Sequence, residues 1–131
     1  MEFPNNLLYT EEHEWVQVEQ DEVLVGITDY AQHELGDVVF VELPDVGAKV
    51  EQGGTFGTIE AVKTVSDLYA PVSGEIVEVN SDLADQPEMV NQSPYADGWM
   101  IRIKFTDRSE LDHVLDSGSY KEHVGEGDDQ E

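Results

Sequence analysis

The chain contains no cysteine in its 131 residues. Disulfides, thiolate metal centres and thiol nucleophiles are therefore outside its chemistry. Positive charge is nearly as scarce. Six Lys and Arg face 30 Asp and Glu, a formal net charge of -24, and a surface of that sign repels nucleic-acid phosphates. Long apolar runs are missing too, since none approaches the roughly 18 residues of a membrane span. The opening stretch Met1-Glu2-Phe3-Pro4-Asn5-Asn6 lacks the basic region and apolar run of a signal peptide. These absences predict a soluble, intracellular protein with neither nucleic acid nor membrane as partner.

What is present is enough for one core. Hydrophobic residues make up 39% of the chain, too many for a fully disordered polymer of this length. A single domain over 1–124 is expected. The remainder, Gly125-Glu126-Gly127-Asp128-Asp129-Gln130-Glu131, has nothing to bury and reads as a disordered acidic tail. The other acids are spread along the whole chain, and their mutual repulsion opposes a compact state. At about 1 M salt the screening length falls to roughly 3 Å and most of that penalty disappears. The composition thus predicts a halophilic prokaryote's cytoplasm, the alternative being a merely acidic protein of ordinary salt.

Short strands dominate the pattern. Glu14-Trp15-Val16-Gln17-Val18-Glu19 alternates, and Val23-Leu24-Val25 follows after Gln20-Asp21-Glu22 as the second arm of a hairpin. Val38-Val39-Phe40-Val41 reads as a strand covered on both faces. Trp99, Ile101, Ile103 and Phe105 alternate with Met100, Arg102 and Lys104 as a half-buried strand. Three short helices are expected. One opens on a capping box of Asp29 with Gln32 and stops at Gly36; a second opens on Asp107 with Glu110; a third covers Ser119 to Val124. The segments Gly36-Asp37-Val38-Val39-Phe40-Val41 and Gly74-Glu75-Ile76-Val77-Glu78-Val79 share Gly, acid, two aliphatics, a variable residue and Val. Chance can produce so short a match in a strand-rich chain; an internal duplication about a pseudo-twofold axis is the sharper reading.

Between those segments, Thr55 to Ala70 has β character on both sides of Lys63, with Gly53-Gly54 before it and Pro71 after it. That predicts a hairpin whose tip holds Val62, Lys63 and Thr64, although no Asn-Gly or Asp-Gly pair marks the reversal. Lysine reacts as a nucleophile only when burial or cationic neighbours depress a pKa near ~10.4. Glu60 and Asp67 favour the ammonium instead. Lys63 is therefore either a solubilising surface lysine or a point to which an enzyme attaches an acyl group.

The residues around it resemble the glycine cleavage H-protein family. The family's lipoylation motif matches Glu60-Ala61-Val62-Lys63, followed by Ser66-Asp67-Leu68-Tyr69-Ala70-Pro71-Val72-Ser73-Gly74-Glu75. Further matches run through Tyr9 to Val16, Gly26 to Ala31, Leu35 to Pro44 and Asn91 to Met100, so the resemblance extends in register from about Tyr9 to Tyr120. It implies a mostly β, lipoyl/biotinyl-type sandwich of two small antiparallel sheets (a barrel-sandwich hybrid) with a few short helices. It also implies a non-catalytic carrier in glycine catabolism and one-carbon metabolism, with lipoate bound covalently as lipoyl-lysine at Lys63. A pyridoxal-phosphate glycine decarboxylase would load an aminomethyl group onto the arm. A tetrahydrofolate-dependent aminomethyltransferase would take the one-carbon unit, and dihydrolipoamide dehydrogenase would reoxidise the arm. A lipoyl-attaching enzyme completes the partners. The family's loaded arm folds into a cleft where acids hold its amine, and the matching positions are Glu14 and Asp67, with Glu12 nearby. Many relatives carry a small hydroxyl residue where this chain has Glu12.

Other chemistry finds little support. His13, His33, His113 and His123 lack metal-ligand spacing, and His13 reads as packing at the sandwich edge. No glycine-rich loop precedes a helix and no serine sits in a nucleophile elbow. Trp15 and Trp99 read as core or rim. Two alternatives to the glycine cleavage carrier remain: a biotin carrier, whose lysine usually lies between methionines where this chain has Val62 and Thr64, and a lipoyl relay protein supplying other lipoyl enzymes.

Overall fold

Alternation of apolar and polar residues, interrupted by tight turns, produces nine strands among the described residues. The computed structural model describes residues 3–125. The strands are β1 (Leu8–Tyr9), β2 (Glu14–Glu19), β3 (Glu22–Ile27), β4 (Val38–Glu42), β5 (Lys49–Val50), β6 (Thr55–Ala61), β7 (Val65–Tyr69), β8 (Gly74–Val79) and β9 (Ile101–Phe105). They form a six-stranded sheet in the order β1-β2-β3-β9-β8-β5 and a three-stranded sheet in the order β4-β6-β7. All neighbouring pairs are antiparallel. Val16, Val25, Ile76, Ile101 and Ile103 of the large sheet share one buried cluster with Val38, Val41, Ile59 and Leu68 of the small one, so the sheets pack face to face. Among the described residues, no helix is long and apolar enough to cross a membrane.

Period-two alternation makes β2 serve both sides of the large sheet. Val16 points into the main core, whereas Trp15 enters a second cluster with Phe3, Leu7, Tyr9 and Tyr120. Tyr120 comes from helix α4 (Ser117–His123) and stacks on Tyr9 with ring centroids 4.7 Å apart. The Trp15 indole lies over Gly26 of β3, where a Cβ would come within 2.7 Å of the ring, and its Nε1 donates to the Pro94 carbonyl.

Several expectations need correction. Helix α1 spans Asp29–Leu35, but its cap is Thr28, whose Oγ1 accepts from Ala31 N at 3.1 Å. Asp29 already lies inside the first turn and accepts from Gln32 Nε2. Gly36 ends this helix at φ 82, a left-handed conformation that favours glycine. Arg108–His113 is a 3-10 helix capped by Asp107, and Glu110 does not complete a box; its carboxylate accepts from Ser73 N and Ser73 Oγ across the chain. Strand β4 is not covered on both faces, because Val39 and Phe40 are exposed on its outer side. Met100 is fully buried ahead of β9, and Trp99 lies outside that strand. Short helices α2 (Asp82–Asp85) and α3 (Met89–Gln92) arise where no helix was expected. The tail expected over 125–131 falls, beyond Gly125, outside the described residues.

The two similar segments become β4 and β8, one in each sheet. In β4–β6, Val38 opposes Ala61, the register slips, and Phe40 then opposes Glu60. In β8–β9, Ile76 opposes Ile103, the register slips, and Glu78 then opposes Arg102. The bulge thus falls at the same residue of each segment, Val39 and Val77, as a duplicated strand pair would have it.

Candidate functional site

Strands β6 and β7 form the expected hairpin, with Val62, Lys63 and Thr64 at its tip. The Ala61 amide donates to the Thr64 carbonyl at 2.8 Å, closing the turn, and the Val62 amide donates to the Asp37 carbonyl at 3.0 Å. The tip therefore rests on the corner between α1 and β4. Asn91 of α3 clamps that corner: it accepts from Val38 N and donates to the Gly36 carbonyl, each at 2.8 Å. Gly36 leaves room for the lysine, since a Cβ there would stand 3.2 Å from Lys63 Cε. Lys63 is exposed, as are its neighbours Val62 and Thr64.

On the other side of α1 lies a cleft of about 290 Å³. Ile27, Ala31, Leu35, Ile59 and Leu68 supply its apolar lining, and Glu12, Glu14, Glu34 and Asp67 are its acidic lining residues. Leu35 adjoins Gly36, so the cleft begins one residue from the surface on which the Lys63 stem rests. Glu14, Asp67 and Glu12 thus line one cleft, although Asp67 belongs to β7, Glu14 opens β2 and Glu12 lies in the turn before it. The further residues went unforeseen as a group. The spacing of Ala31 and Leu35, one turn apart on α1, is the local signal that could have found part of the floor.

Glu14 differs from the other acids of the cleft in being buried, with 1% of its surface exposed. Thr10 Oγ1 donates to its Oε1 at 2.6 Å and Tyr69 N donates to its Oε2 at 3.1 Å. Those donors favour the carboxylate, yet burial outweighs them and pushes the Glu14 pKa up to about 8. Thr10 is itself fixed, because its hydroxyl accepts from the Glu12 and Glu14 amides. His13 also lines the cleft, held at φ 76 with Nδ1 2.9 Å from the Tyr120 hydroxyl. Burial, with His123 close by, lowers its pKa. Among the described residues no three His, Asp or Glu side chains converge as a metal site would need.

An exposed lysine on a hairpin tip beside an apolar, acid-bearing cleft is a geometry that can be compared with known proteins. The family model for the glycine cleavage H-protein matches residues 7–127. The chain belongs to the glycine cleavage H-protein family. The glycine cleavage system H protein of Brevibacillus brevis is 57% identical over 126 residues, covering 96% of this chain and all of that protein. The corresponding Staphylococcus haemolyticus protein is 56% identical with the same coverage. A crystal structure of a glycine cleavage system H protein from Mycobacterium marinum superposes with a TM-score of 0.86 at 41% identity, covering 93% of this chain and 98% of that one. Membership sets aside the biotin carrier, and the lipoyl/biotinyl-type sandwich expected from the motif is the fold found.

Proposed function

We propose that this H-protein family member acts as the lipoyl carrier of the glycine cleavage system, with the lipoyl group on Lys63 and the loaded arm held by Glu14 and Asp67. The observation that carries the reading is the exposed Lys63 tip beside a cleft with an apolar floor and one buried carboxyl. These residues fit such a group: Lys63 offers a free amine for an amide, and Ile27, Ala31, Leu35, Ile59 and Leu68 offer an apolar bed for a hydrocarbon chain. When bound, lipoate supplies a disulfide that accepts a one-carbon amine fragment and is later reoxidised. The chain itself provides tethering, which raises the effective concentration of the bound fragment at each partner.

Glu14 has a defined part in this scheme. In a cleft without a cation its buried carboxyl keeps its proton up to about pH 8. A primary ammonium brought into the cleft favours the carboxylate, so Glu14 releases that proton and forms an ion pair. Thr10 Oγ1 and Tyr69 N already point at its two oxygens and hold the resulting charge in place. Exposed Asp67 and Glu12 at the rim add negative potential that draws the amine inward.

The partners of this reading are the pyridoxal-phosphate glycine decarboxylase, the tetrahydrofolate-dependent aminomethyltransferase, dihydrolipoamide dehydrogenase and a lipoyl-attaching enzyme. The carrier catalyses none of their steps. Its setting is the cytoplasm of a high-salt prokaryote, a reading supported by the net charge of -24. Intact-mass analysis with peptide mapping tests the attachment point. Lys63→Arg is expected to keep the fold, lose the lipoyl mass and abolish glycine cleavage. Full cleavage by that variant overturns the reading.

A further inference from the structure

Tyr120 of α4 is fully buried and is not among the residues that line the cleft. Its hydroxyl nevertheless touches two segments that do. It lies 2.9 Å from His13 Nδ1 and 2.8 Å from Thr28 Oγ1. His13 lines the cleft beside Glu12 and Glu14, in the turn that leads into β2. Thr28 caps α1, which contributes Ala31, Glu34 and Leu35 to the same lining. A phenol hydroxyl donates one hydrogen bond while accepting another, so this single oxygen serves both partners. Each side of the contact is reinforced. The Thr28 amide donates to the His13 carbonyl at 3.1 Å, and His123 Nε2, one turn beyond Tyr120, donates to the Glu11 carbonyl at 3.0 Å. Stacking on Tyr9 and an edge contact with Phe3 hold the ring that carries the hydroxyl. The left-handed backbone of His13, at φ 76, is a conformation that a histidine keeps only where its surroundings impose it.

We propose that Tyr120 is a positioning residue for the loaded arm: its hydroxyl ties the turn carrying His13 and Glu14 to helix α1, and so sets the width of the cleft. The inference rests on the carrier reading above. Glu14 directly follows His13, so a turn that drifts from α1 moves its carboxyl relative to Ala31 and Leu35. Small drifts matter in such a cleft. A gap of roughly 0.5–1 Å already forfeits a quarter to a half of each dispersion contact along a hydrocarbon chain. The hydroxyl contributes nothing to the arm directly, since it is buried behind the lining. Helix α4 thereby governs how long the cleft keeps what it holds, although it supplies no atom to the cleft surface.

The first measurement uses the full chain without a lipoyl group. Tyr120→Phe keeps the ring and removes the hydroxyl. The His13 ring nitrogens should change their NMR shifts, and the amides of α1 should exchange with solvent about fivefold faster, the scale of one buried hydrogen bond. Tyr9→Phe is the control, because it removes an equally buried hydroxyl from the same stack, one that donates to the Pro4 carbonyl instead. It should leave the His13 shifts and the α1 exchange as in wild type. The second measurement uses the lipoylated chain, loaded from glycine by the pyridoxal-phosphate decarboxylase and then separated from it. Intact mass follows the loss of the aminomethyl group to water, as ammonia and formaldehyde with the thiol left on the arm. Its half-life should fall about fivefold in Tyr120→Phe and not at all in Tyr9→Phe. His13→Asn suits the positive φ and breaks the same bond from its other end, so adding it to Tyr120→Phe should shorten the half-life no further. Unchanged His13 shifts or a wild-type half-life in Tyr120→Phe overturn the proposal. An equal shortening in Tyr9→Phe, or losses that add in the double variant, overturn it too. If Tyr120→Phe melts early, His13→Asn alone carries the α1 exchange and half-life readouts. A wild-type chain that takes up no aminomethyl mass refutes the carrier reading instead, and the measurement without the lipoyl group still decides the tie.

Discussion

Strand pairs β4–β6 and β8–β9 share a bulge position and a register, yet they face solvent in opposite ways. Their inner positions are alike: Val38, Ala61 and Ile59 in one pair, and Ile76, Ile103 and Ile101 in the other, are all buried. The outer positions diverge at the first pair beyond the bulge. In the large sheet that pair is Glu78 with Arg102, whose Nε and Oε1 atoms lie 3.1 Å apart, and Arg102 reaches Glu19 and Glu22 as well. In the small sheet it is Phe40 with Glu60, and Phe40 is 49% exposed. One copy of the motif closes its outer face with charge pairs. The other leaves its face open and extends into the tip that bears Lys63. On the proposed carrier reading, the same backbone solution serves as scaffold on one side and as working end on the other.

The comparison breaks most severely at two glycines. A Cβ on Gly74 of β8 would lie 2.1 Å from the Lys104 carbonyl oxygen, and one on Gly57 of β6 would lie 2.2 Å from that of Glu42. Backbone cannot yield as a side-chain end can, so each strand pair must part or bend. Gly74→Ala and Gly57→Ala should each cost roughly 3 kcal/mol or more, read by denaturant unfolding. Gly74→Ala should be the worse, because its Cβ also meets buried Ile103 at 2.9 Å. A loss under 1 kcal/mol in either would show that the strands tolerate separation.

Legibility in the sequence followed the range of the interaction. The hairpin tip at Lys63, the alternation of Ile101, Ile103 and Phe105, and the stop at Gly36 are local patterns and emerged as expected. The apolar run Val38 to Val41 misled, because four aliphatic or aromatic residues in succession look the same whether a strand is covered on one face or two. Glu110 misled for another reason: its carboxylate serves Ser73, 37 residues away, and no spacing rule reports such a partner. The cleft is long-range in the same sense. Glu14 meets Tyr69 across 55 residues of chain, so its burial was not readable from His13 and Glu12 beside it. The resemblance supplied the acids' identity, and only the fold supplied the contrast between buried Glu14 and exposed Asp67.

That contrast predicts a smaller, pH-dependent effect. Glu14 titrates near 4.5 when unfolded and near 8 in the folded chain, so the folded state holds one more proton between those values. Its contribution to stability is complete below about pH 4.5, declines as pH rises, and is gone above about 8. Glu14→Gln keeps a neutral group with an acceptor for Tyr69 N, and should flatten this slope, on the order of 1 kcal/mol per pH unit. Parallel stability profiles for wild type and Glu14→Gln between pH 5 and about 8 would show that Glu14 is already ionised in the empty cleft.

The smallest effect is expected where the two strand pairs differ by charge. Arg102 is partly exposed and so are its three glutamates, which limits the cluster to about 1 kcal/mol. Arg102→Met leaves Glu19, Glu22 and Glu78 facing one another unneutralised, and should lower the melting temperature in dilute buffer. At about 1 M salt, with a screening length of roughly 3 Å, most of that loss should vanish. Phe40→Thr, in the matching pair of the small sheet, should change stability by less than about 0.5 kcal/mol at any salt, since it removes an exposed side chain without a charge partner. Wild type should itself gain stability with salt, because 30 acids against six Lys and Arg repel throughout the chain. A melting temperature that stays flat from dilute buffer to 1 M salt would remove the case for a high-salt cytoplasm. It would also mean that local pairing of the kind Arg102 makes in the large sheet, rather than external ions, is what keeps so acidic a sandwich closed.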